Sequence, residues 1–310
     1  MGFNFTSNRV SVRVPATSAN CGPGFDSLGL ALALHNDLAL QVGDFDTLEV
    51  EGEGALELQN NAQTIVHQAA HRVFAALSIP VAGVELRLRN RIPLSRGLGS
   101  SSAAIVGGLV AANAWAHKHR NRALSQPELL DLATEIEGHP DNVAPALLGG
   151  FVVSARNEAG AVTSIQLPVR HFPRFAVWIP ETELATKTAR GVLPAAYSRA
   201  DAVFNLSRAA LLVAALASGD FEALREALRD KIHQDFRAPL VPGFREISRA
   251  AEDGGAFGVT LSGAGPSILA WLPTKNDAVA AMENAARATG IAGRVVELEV
   301  DEEGCTAASD

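Results

Sequence analysis

The chain has 310 residues, 47% of them apolar, which is enough for one large domain or two ordinary ones with a sizeable core. Its 26 basic and 34 acidic residues leave a net charge of −8, which argues against a nucleic acid or an anionic membrane as partner. Cys21 and Cys305 lie too far apart in the sequence to indicate a disulfide framework or a zinc site, so a reducing, cytoplasmic setting is expected. The strongest candidate for a membrane span, residues 103–112, is shorter than the roughly 18 apolar residues required and is expected to form a buried helix.

The first half of the chain mixes two apolar patterns. Alternating or continuously apolar segments predict strands, and apolar residues at helical spacing predict helices. Strands are predicted at 9–14, 84–88 and 151–153, and a further strand, which ends at residue 40, follows the apolar segment 28–34. The predicted helices are 64–77, 103–116 and 125–137. The helix at 103–116 is apolar nearly all round, which places it at the centre of its domain. Residues 138–145 are dense in polar groups and turn formers.

The second half repeats the mixture of strands and helices. Strands are predicted at 175–179, 258–261, 268–272 and 294–300, and helices at 201–217, 221–229, 243–253 and 276–289. Pro168 and Pro173 bracket a polar turn, which indicates a boundary between domains at 1–170 and 171–310. Strands and helices in both halves predict an α+β fold.

A glycine-serine segment runs directly into the central helix: residues 93–104 read Pro-Leu-Ser-Arg-Gly-Leu-Gly-Ser-Ser-Ser-Ala-Ala. Gly97 and Gly99 allow the backbone to turn sharply and to approach a ligand closely. The first N–H groups of the helix lack partners within it, and the helix dipole adds positive charge there, so the segment indicates a phosphate site. It matches neither a Walker A loop nor a dinucleotide fingerprint. A serine-capped helix after a glycine turn is the alternative interpretation.

Three segments in this order resemble a known family. Residues 15–26 read Pro-Ala-Thr-Ser-Ala-Asn-Cys-Gly-Pro-Gly-Phe-Asp, the second segment is the glycine-serine loop, and residues 260–267 read Thr-Leu-Ser-Gly-Ala-Gly-Pro-Ser. Together they resemble the three motifs of the GHMP kinases. The segments similar to the homoserine-phosphorylating branch of that family are 18–20, 24–26, 137–145, Thr186 with 189–190, and 233–243.

The resemblance implies a fold and an activity. The implied fold is an N-terminal α+β domain with a left-handed βαβ crossover, a ferredoxin-like C-terminal domain, and an active site between them. The implied activity is that of an ATP-dependent small-molecule kinase that phosphorylates the hydroxyl of L-homoserine on the way to threonine, as a homodimer in the cytoplasm. The alternatives are another small-molecule GHMP kinase and a catalytically silent GHMP-fold protein that senses a ligand.

The resemblance also implies a nucleotide site with magnesium. It places the ATP phosphates on the glycine-serine loop, with these residues as candidates: Pro93, Arg96, Gly97, Leu98, Gly99, Ser100, Ser101 and Ser102. The Ser101 hydroxyl and the Glu137 carboxylate are the implied ligands of Mg²⁺, which prefers oxygen ligands. Members of the family often carry Asn at the start of the nucleotide-side helix, where this chain has Thr64, with Asn61 and Gln63 nearby.

The implied substrate is a zwitterion that carries a hydroxyl. The candidate substrate residues are Asn20, Asp26, His139, Asp141, Thr186, Arg190, Arg237 and Gly263. Arg190 and Arg237 resemble a carboxylate clamp, a task that suits the planar guanidinium. Asp26 is expected close to the hydroxyl or the ammonium group.

The catalytic candidates are Asn142, Asp26 and Arg190. Several relatives place an aspartate where this chain has Asn142, and an amide cannot take a proton near neutral pH. The expectation is therefore catalysis without a strong dedicated base, with Asp141 as the alternative base.

Overall fold

The computed structural model describes residues 8–58 and 64–308. The strands are β1 (Arg9–Ala19), β2 (Leu28–Gly43), β3 (Thr47–Gly52), β4 (Gly83–Asn90), β5 (Phe151–Arg156), β6 (Val162–Gln166), β7 (Arg174–Pro180), β8 (Gly258–Leu261), β9 (Ile268–Leu272), β10 (Gly293–Leu298) and β11 (Thr306–Ala307). The helices are α1 (Ala55–Leu58), α2 (Ile65–Ala76), α3 (Ser100–Arg120), α4 (Gln126–Glu137), α5 (Pro140–Leu148), α6 (Thr186–Gly191), α7 (Arg199–Ser218), α8 (Leu224–Ala227), α9 (Gln234–Arg237), α10 (Phe244–Asp253) and α11 (Ala278–Thr289). Nearly every predicted element is present, in the predicted order.

The first sheet has the strand order β11-β1-β2-β4-β3, and β5 with β6 extends it from the start of β2. A register shift between Pro15 and Ala16 bends the β1–β2 pair, so β2 pairs with β5 at its beginning and with β4 at its end. β3 and β4 are parallel and are joined through α2, which makes a βαβ unit whose predicted left hand stays a prediction. The apolar helix α3 is buried beside this sheet, as its all-round apolar pattern predicts.

The second sheet has the strand order β10-β7-β9-β8 with every pair antiparallel. Numbered along the chain this is the order 4-1-3-2 of a β-α-β-β-α-β unit, so the ferredoxin-like prediction is confirmed. α10 and α11 cover one face and bury Ile247, Ala251 and Met282 against it. The mixed α+β class is confirmed with it.

The end of the chain returns to the first sheet instead of ending in the second. Val300 bridges to Leu32, and β11 pairs with β1. Asp301 fixes this return because its side chain accepts hydrogen bonds from the N–H groups of Glu303 and Gly304 and bonds the ring of His35 at 2.6 Å. The domain limits 1–170 and 171–310 stay a prediction, although the two sheets divide near residue 170 for all strands except β11.

Two helices differ from the sequence prediction. The turn-rich stretch 138–145 forms α5, because His139 is extended at the N-cap and Pro140 supplies the fixed φ of a first helical residue. The predicted helix at 221–229 is divided into a 3₁₀ turn, Phe221–Ala223, and the short α8.

The helix α7 corrects the expectation about membrane spans. By length and composition it is apolar enough to cross a bilayer, whereas the sequence analysis put forward residues 103–112. One such helix among the described residues is weak evidence for a membrane span. Most of α7 is exposed, including Val203 and Leu206 at 58% and 72%.

Candidate active site

A cavity of about 320 Å³ lies between loops from both halves of the chain. All eight predicted substrate residues line it: Asn20, Asp26, His139, Asp141, Thr186, Arg190, Arg237 and Gly263. Asn142, Ser101 and Glu137 line the same cavity. The structure therefore brings together residues that are up to 243 positions apart in the sequence. Their individual roles stay predictions.

The glycine-serine loop is shaped by close backbone contacts. Gly97 has a φ of +73°, and a Cβ there would lie 2.2 Å from the carbonyl oxygen of Ser262 in the β8–β9 turn. Gly99 has a φ of +68° and is the N-cap of α3. Both positions therefore require glycine: Gly97 lets the loop approach the β8–β9 turn closely, and Gly99 begins α3 at the cavity.

The predicted nucleotide residues divide into two groups. Arg96, Gly97, Gly99, Ser100 and Ser101 line the cavity, whereas the side chains of Pro93, Leu98 and Ser102 are buried away from it. Arg96 also fastens the loop, because its guanidinium donates to the carbonyl oxygens of Leu94 and Glu181 and to Glu183.

The carboxylate of Glu137 is held at the end of α4 by two hydroxyl groups. Ser101 Oγ donates to its Oε2 at 3.0 Å, and Ser102 Oγ donates to its Oε1 at 2.7 Å. Ser102 does not line the cavity, and its hydroxyl holds Glu137; its part in nucleotide binding stays a prediction. Hydroxyl and carboxylate oxygens at the start of α3 are a donor set that fits Mg²⁺.

Arg190 and Asp26, which both line the cavity, form a bidentate ion pair. The guanidinium of Arg190 donates to both carboxylate oxygens, at 2.6 and 3.1 Å. This hydrogen bond raises the pKa of Arg190 above its usual value. Asp26 stands in the left-handed region with a φ of +55°, a conformation that Asp tolerates better than most residues.

Arg237 is a buried cation without a carboxylate partner among the described residues. It is 1% exposed, and it donates to the carbonyl oxygens of Ala189 and Gly263 and to His233 Nδ1. Burial lowers the pKa of Arg237 from its usual value, yet a guanidinium stays charged. A buried positive charge that reaches a cavity without a paired anion favours an anionic ligand.

Asn20 joins the two halves of the site. Its Nδ2 donates to the carbonyl oxygen of Gly263 at 2.8 Å, and its Oδ1 accepts from the N–H of Asp26 at 3.1 Å. Both ends of its amide are therefore engaged, which indicates that Asn20 shapes the cavity as well as lining it.

His139 and Asp141 form a close pair in the cavity wall. His139 Nδ1 lies 2.6 Å from Asp141 Oδ1, and Asp141 is 2% exposed. Burial alone would lower the pKa of His139, but the hydrogen bond and the charge of Asp141 outweigh it and raise that pKa above 6.5. The pair therefore stabilises the folded protein fully below the ordinary pKa of histidine, and this contribution is lost as the pH rises through the raised pKa.

We expect Asp141→Asn to reverse this shift. Without the carboxylate, burial favours the neutral ring, so the pKa of His139 should fall below 6.5. An NMR titration of the ring, assigned by the signal lost in His139→Asn, measures it. Asp253→Asn, which removes an exposed carboxylate on α10, is the control and should leave the titration unchanged. A ring that titrates identically in both variants would contradict the expectation.

The sequence analysis assigned no role to several residues of the site. The centre of the Phe25 ring lies 5.5 Å from the guanidinium carbon of Arg190 and 5.3 Å from that of Arg237, so one aromatic ring contacts both cations. Thr17 Oγ1 donates to Asn142 Oδ1 at 2.7 Å. Thr17 and Phe25 lie in the segment 15–26 that carries the resemblance, and this position was the sequence signal that could have identified them.

A second cavity of about 370 Å³ adjoins the first, and Ser95, Ser100 and Ser101 line both. Most of its lining is apolar, with contributions from Val14, Leu38, Ile65, Leu88 and Leu94. Thr64 lines it too, whereas the candidates Asn61 and Gln63 lie outside the described residues.

Comparison with known proteins agrees with this geometry. Residues 64–150 match the family described as GHMP kinases N terminal domain, and residues 212–292 match GHMP kinases C terminal. A homoserine kinase of Desulfitobacterium hafniense is 44% identical over 297 residues, which are 95% of this chain and 98% of that protein. The chain belongs to the homoserine kinase branch of the GHMP kinases. A homoserine kinase of Synechococcus is also 44% identical, over 96% of this chain and 97% of that protein.

The chain has the fold of a homoserine kinase over nearly its whole length. A crystal structure of homoserine kinase from Cytophaga hutchinsonii superimposes with a TM-score of 0.87 at 30% identity, and covers 99% of this chain and all of that chain. Membership of this family makes the chain an ATP-dependent small-molecule kinase.

Proposed function

We propose that this chain transfers the γ-phosphoryl group of ATP to the hydroxyl of L-homoserine and forms O-phospho-L-homoserine. The observation that carries the proposal is the cavity of about 320 Å³ in which the glycine-serine loop and the first turn of α3 lie beside acidic side chains and the two arginines Arg190 and Arg237. Phosphoryl transfer requires positioning and charge neutralisation more than covalent help, and these are the two things that such a cavity offers.

The phosphate end is assigned to the glycine-serine loop. The N–H groups at the start of α3 and its dipole favour the phosphate oxygens. Ser101 and Glu137 would hold Mg²⁺, which when bound neutralises charge on those oxygens. Ser102 keeps the carboxylate in place through its 2.7 Å hydrogen bond.

The adenine is assigned to the second cavity. Its position next to Ser100 and Ser101 allows one nucleotide to reach from the apolar lining to the loop. A flat aromatic base buries well against aliphatic side chains such as Leu38, Ile65 and Leu88.

The substrate end is assigned by charge. Arg237 offers the substrate carboxylate a cation that no carboxylate pairs among the described residues, and Arg190, which also contacts Phe25, adds a second guanidinium. The carboxylates of Asp26 and Asp141 offer an anionic environment to the ammonium group. The amide of Asn142 cannot accept the hydroxyl proton, so we propose that this proton passes to phosphate or solvent; Asp141, which lies 2.6 Å from His139 Nδ1, is the alternative acceptor.

A coupled assay of ADP release tests the proposal. Homoserine, mevalonate, galactose and threonine are offered with ATP and Mg²⁺, and turnover is expected above background with homoserine. Turnover with mevalonate or galactose instead would favour another GHMP kinase activity. Background ADP release with all four, together with binding of ATP or homoserine, would favour a silent ligand sensor.

We also propose that the chain binds a small amino acid and no nucleic acid, and that it forms a homodimer in the cytoplasm. The exposed apolar face of α7 supports self-association, because Val203, Leu206 and Leu211 are 58%, 72% and 36% exposed. We expect a dimer by size-exclusion chromatography with light scattering, and a shift toward monomer in Leu206→Glu. Glu246→Lys on α10 changes an exposed charge elsewhere and is the control. A monomeric wild-type chain would contradict the homodimer.

A further inference from the structure

The hydroxyl of Thr17 lies directly behind the reacting end of the cavity. Thr17 is fully buried on β1, and its hydroxyl donates to Asn142 Oδ1 at 2.7 Å. Its backbone N–H donates to the carbonyl oxygen of Leu98 at 3.1 Å. One residue therefore touches both the glycine-serine loop and α5, which carry the two sides of the proposed transfer.

The glycine-serine loop packs directly against the hydrogen bond between Thr17 and Asn142. A Cβ on Gly99 would lie 1.9 Å from Thr17 Oγ1 and 3.3 Å from Asn142 Oδ1. The start of α3 is thus adjacent to the bond between Thr17 and Asn142, and so is any phosphate bound at that helix start.

The direction of the bond determines which end of the amide faces the cavity. The Thr17 hydroxyl has one proton, which it donates to Asn142 Oδ1, and it makes no other hydrogen bond to the described residues. The N–H₂ group of Asn142 has no partner among the described residues, and Asn142 lines the cavity. The free end is consequently a donor and not an acceptor.

On the basis of the proposed function, we propose that Thr17 is a positioning residue: it orients the Asn142 amide so that its N–H₂ group donates to the oxygens of the phosphoryl group in transfer. A donor fixed in advance at the place where negative charge is redistributed stabilises the transition state more than the ground state. With the reverse orientation the amide oxygen would face the phosphoryl oxygens and repel them. The role of Thr17 is therefore exerted through Asn142 and not by contact with the substrate.

Steady-state kinetics of four variants test this. Thr17→Val keeps the shape and removes the hydroxyl, and we expect it to lower kcat about tenfold, the effect of one hydrogen bond, while the KM for homoserine changes less. Thr17→Ser keeps the hydroxyl and should restore most of that loss. In an Asn142→Ala background, Thr17→Val should cost little more, because the group that it orients is gone.

Two kinetic outcomes would overturn the proposal. One is an undiminished effect of Thr17→Val in the Asn142→Ala background, which would mean that Thr17 only supports the loop. The other is a wild-type kcat in Thr17→Val whose thermal unfolding shows it to be folded.

A measurement without turnover separates this proposal from the proposed function. The side-chain NH₂ signals of Asn142, assigned by their loss in Asn142→Ala, should move in Thr17→Val and stay near their place in Thr17→Ser. If the wild-type chain shows no homoserine-dependent ADP release, the proposed function fails, whereas these signals still report the orientation of the amide. Signals that do not move in Thr17→Val would overturn the proposed orienting role.

Discussion

Glu137→Ala is expected to lower kcat by roughly 100-fold or more, the loss that follows removal of one preorganised electrostatic contact. In the structure the carboxylate is held by Ser101 and Ser102 at the start of α3, and it stands in the last turn of α4, where the helix dipole disfavours a negative charge. Steady-state kinetics at saturating ATP and homoserine measure the effect.

A carboxylate on the same helix supplies the control for Glu137. Glu135 is exposed and pairs with Arg72 outside the cavity, so Glu135→Ala should leave kcat near the wild-type value. Glu137→Gln keeps the acceptor oxygen for one serine and loses the charge, and we expect it to require more Mg²⁺ for half-maximal rate. Wild-type kcat and Mg²⁺ dependence in both Glu137 variants would contradict the ligand role.

Arg190→Ala is expected to raise the KM for homoserine by about 10- to 100-fold, with a smaller change in kcat. A charge-assisted hydrogen bond from Arg190 to the substrate carboxylate is worth roughly 1.5–3 kcal/mol. A contact with the substrate carboxylate exists in both the ground state and the transition state, so its loss appears mainly in KM. Arg190 lines the cavity and is part-exposed, so its removal should leave the fold intact, unlike that of the buried Arg237.

The matched control for Arg190 is Arg245→Ala, which removes an exposed arginine from α10 away from the cavity. It should leave both KM and kcat unchanged. A large fall in kcat with an unchanged KM in Arg190→Ala would contradict the clamp and indicate that the guanidinium acts on the transferring phosphoryl group. The ion pair with Asp26 gives a further check on that second outcome. If Arg190 acts on the phosphoryl group, Asp26→Asn, which weakens the ion pair, should also lower kcat.

The site could be predicted largely because its residues stand in short, ordered segments. The glycines of the loop and the serines behind them are local signals, since positive φ values and helix starts depend on neighbouring residues. The segment 15–26 also contains two site residues to which the sequence assigned no role, Thr17 and Phe25, because a buried threonine and a phenylalanine have no distinctive spacing. Thr17 and Phe25 acquire roles only through contacts with Asn142, Arg190 and Arg237.

The pairing of charges could not be predicted in the same way. From the sequence, Arg190 and Arg237 are equivalent candidates for a carboxylate clamp. In the structure Arg190 already binds Asp26, whereas Arg237 is buried with only carbonyl and imidazole acceptors. The difference depends on which loop each arginine contacts. Asn20 links those loops, because its side chain is hydrogen-bonded to the backbone of both Asp26 and Gly263.

The amino-acid order alone determined the alternation of strands and helices, the central helix α3 and the glycine-serine loop, because periodicity and backbone preference act over a few residues. Only the tertiary structure decided that residues 299–308 return to the first sheet, which hydroxyl groups hold Glu137, and which end of the Asn142 amide faces the cavity. These outcomes depend on partners more than 30 positions away, and no local pattern encodes the distance between two side chains that the folded backbone brings together.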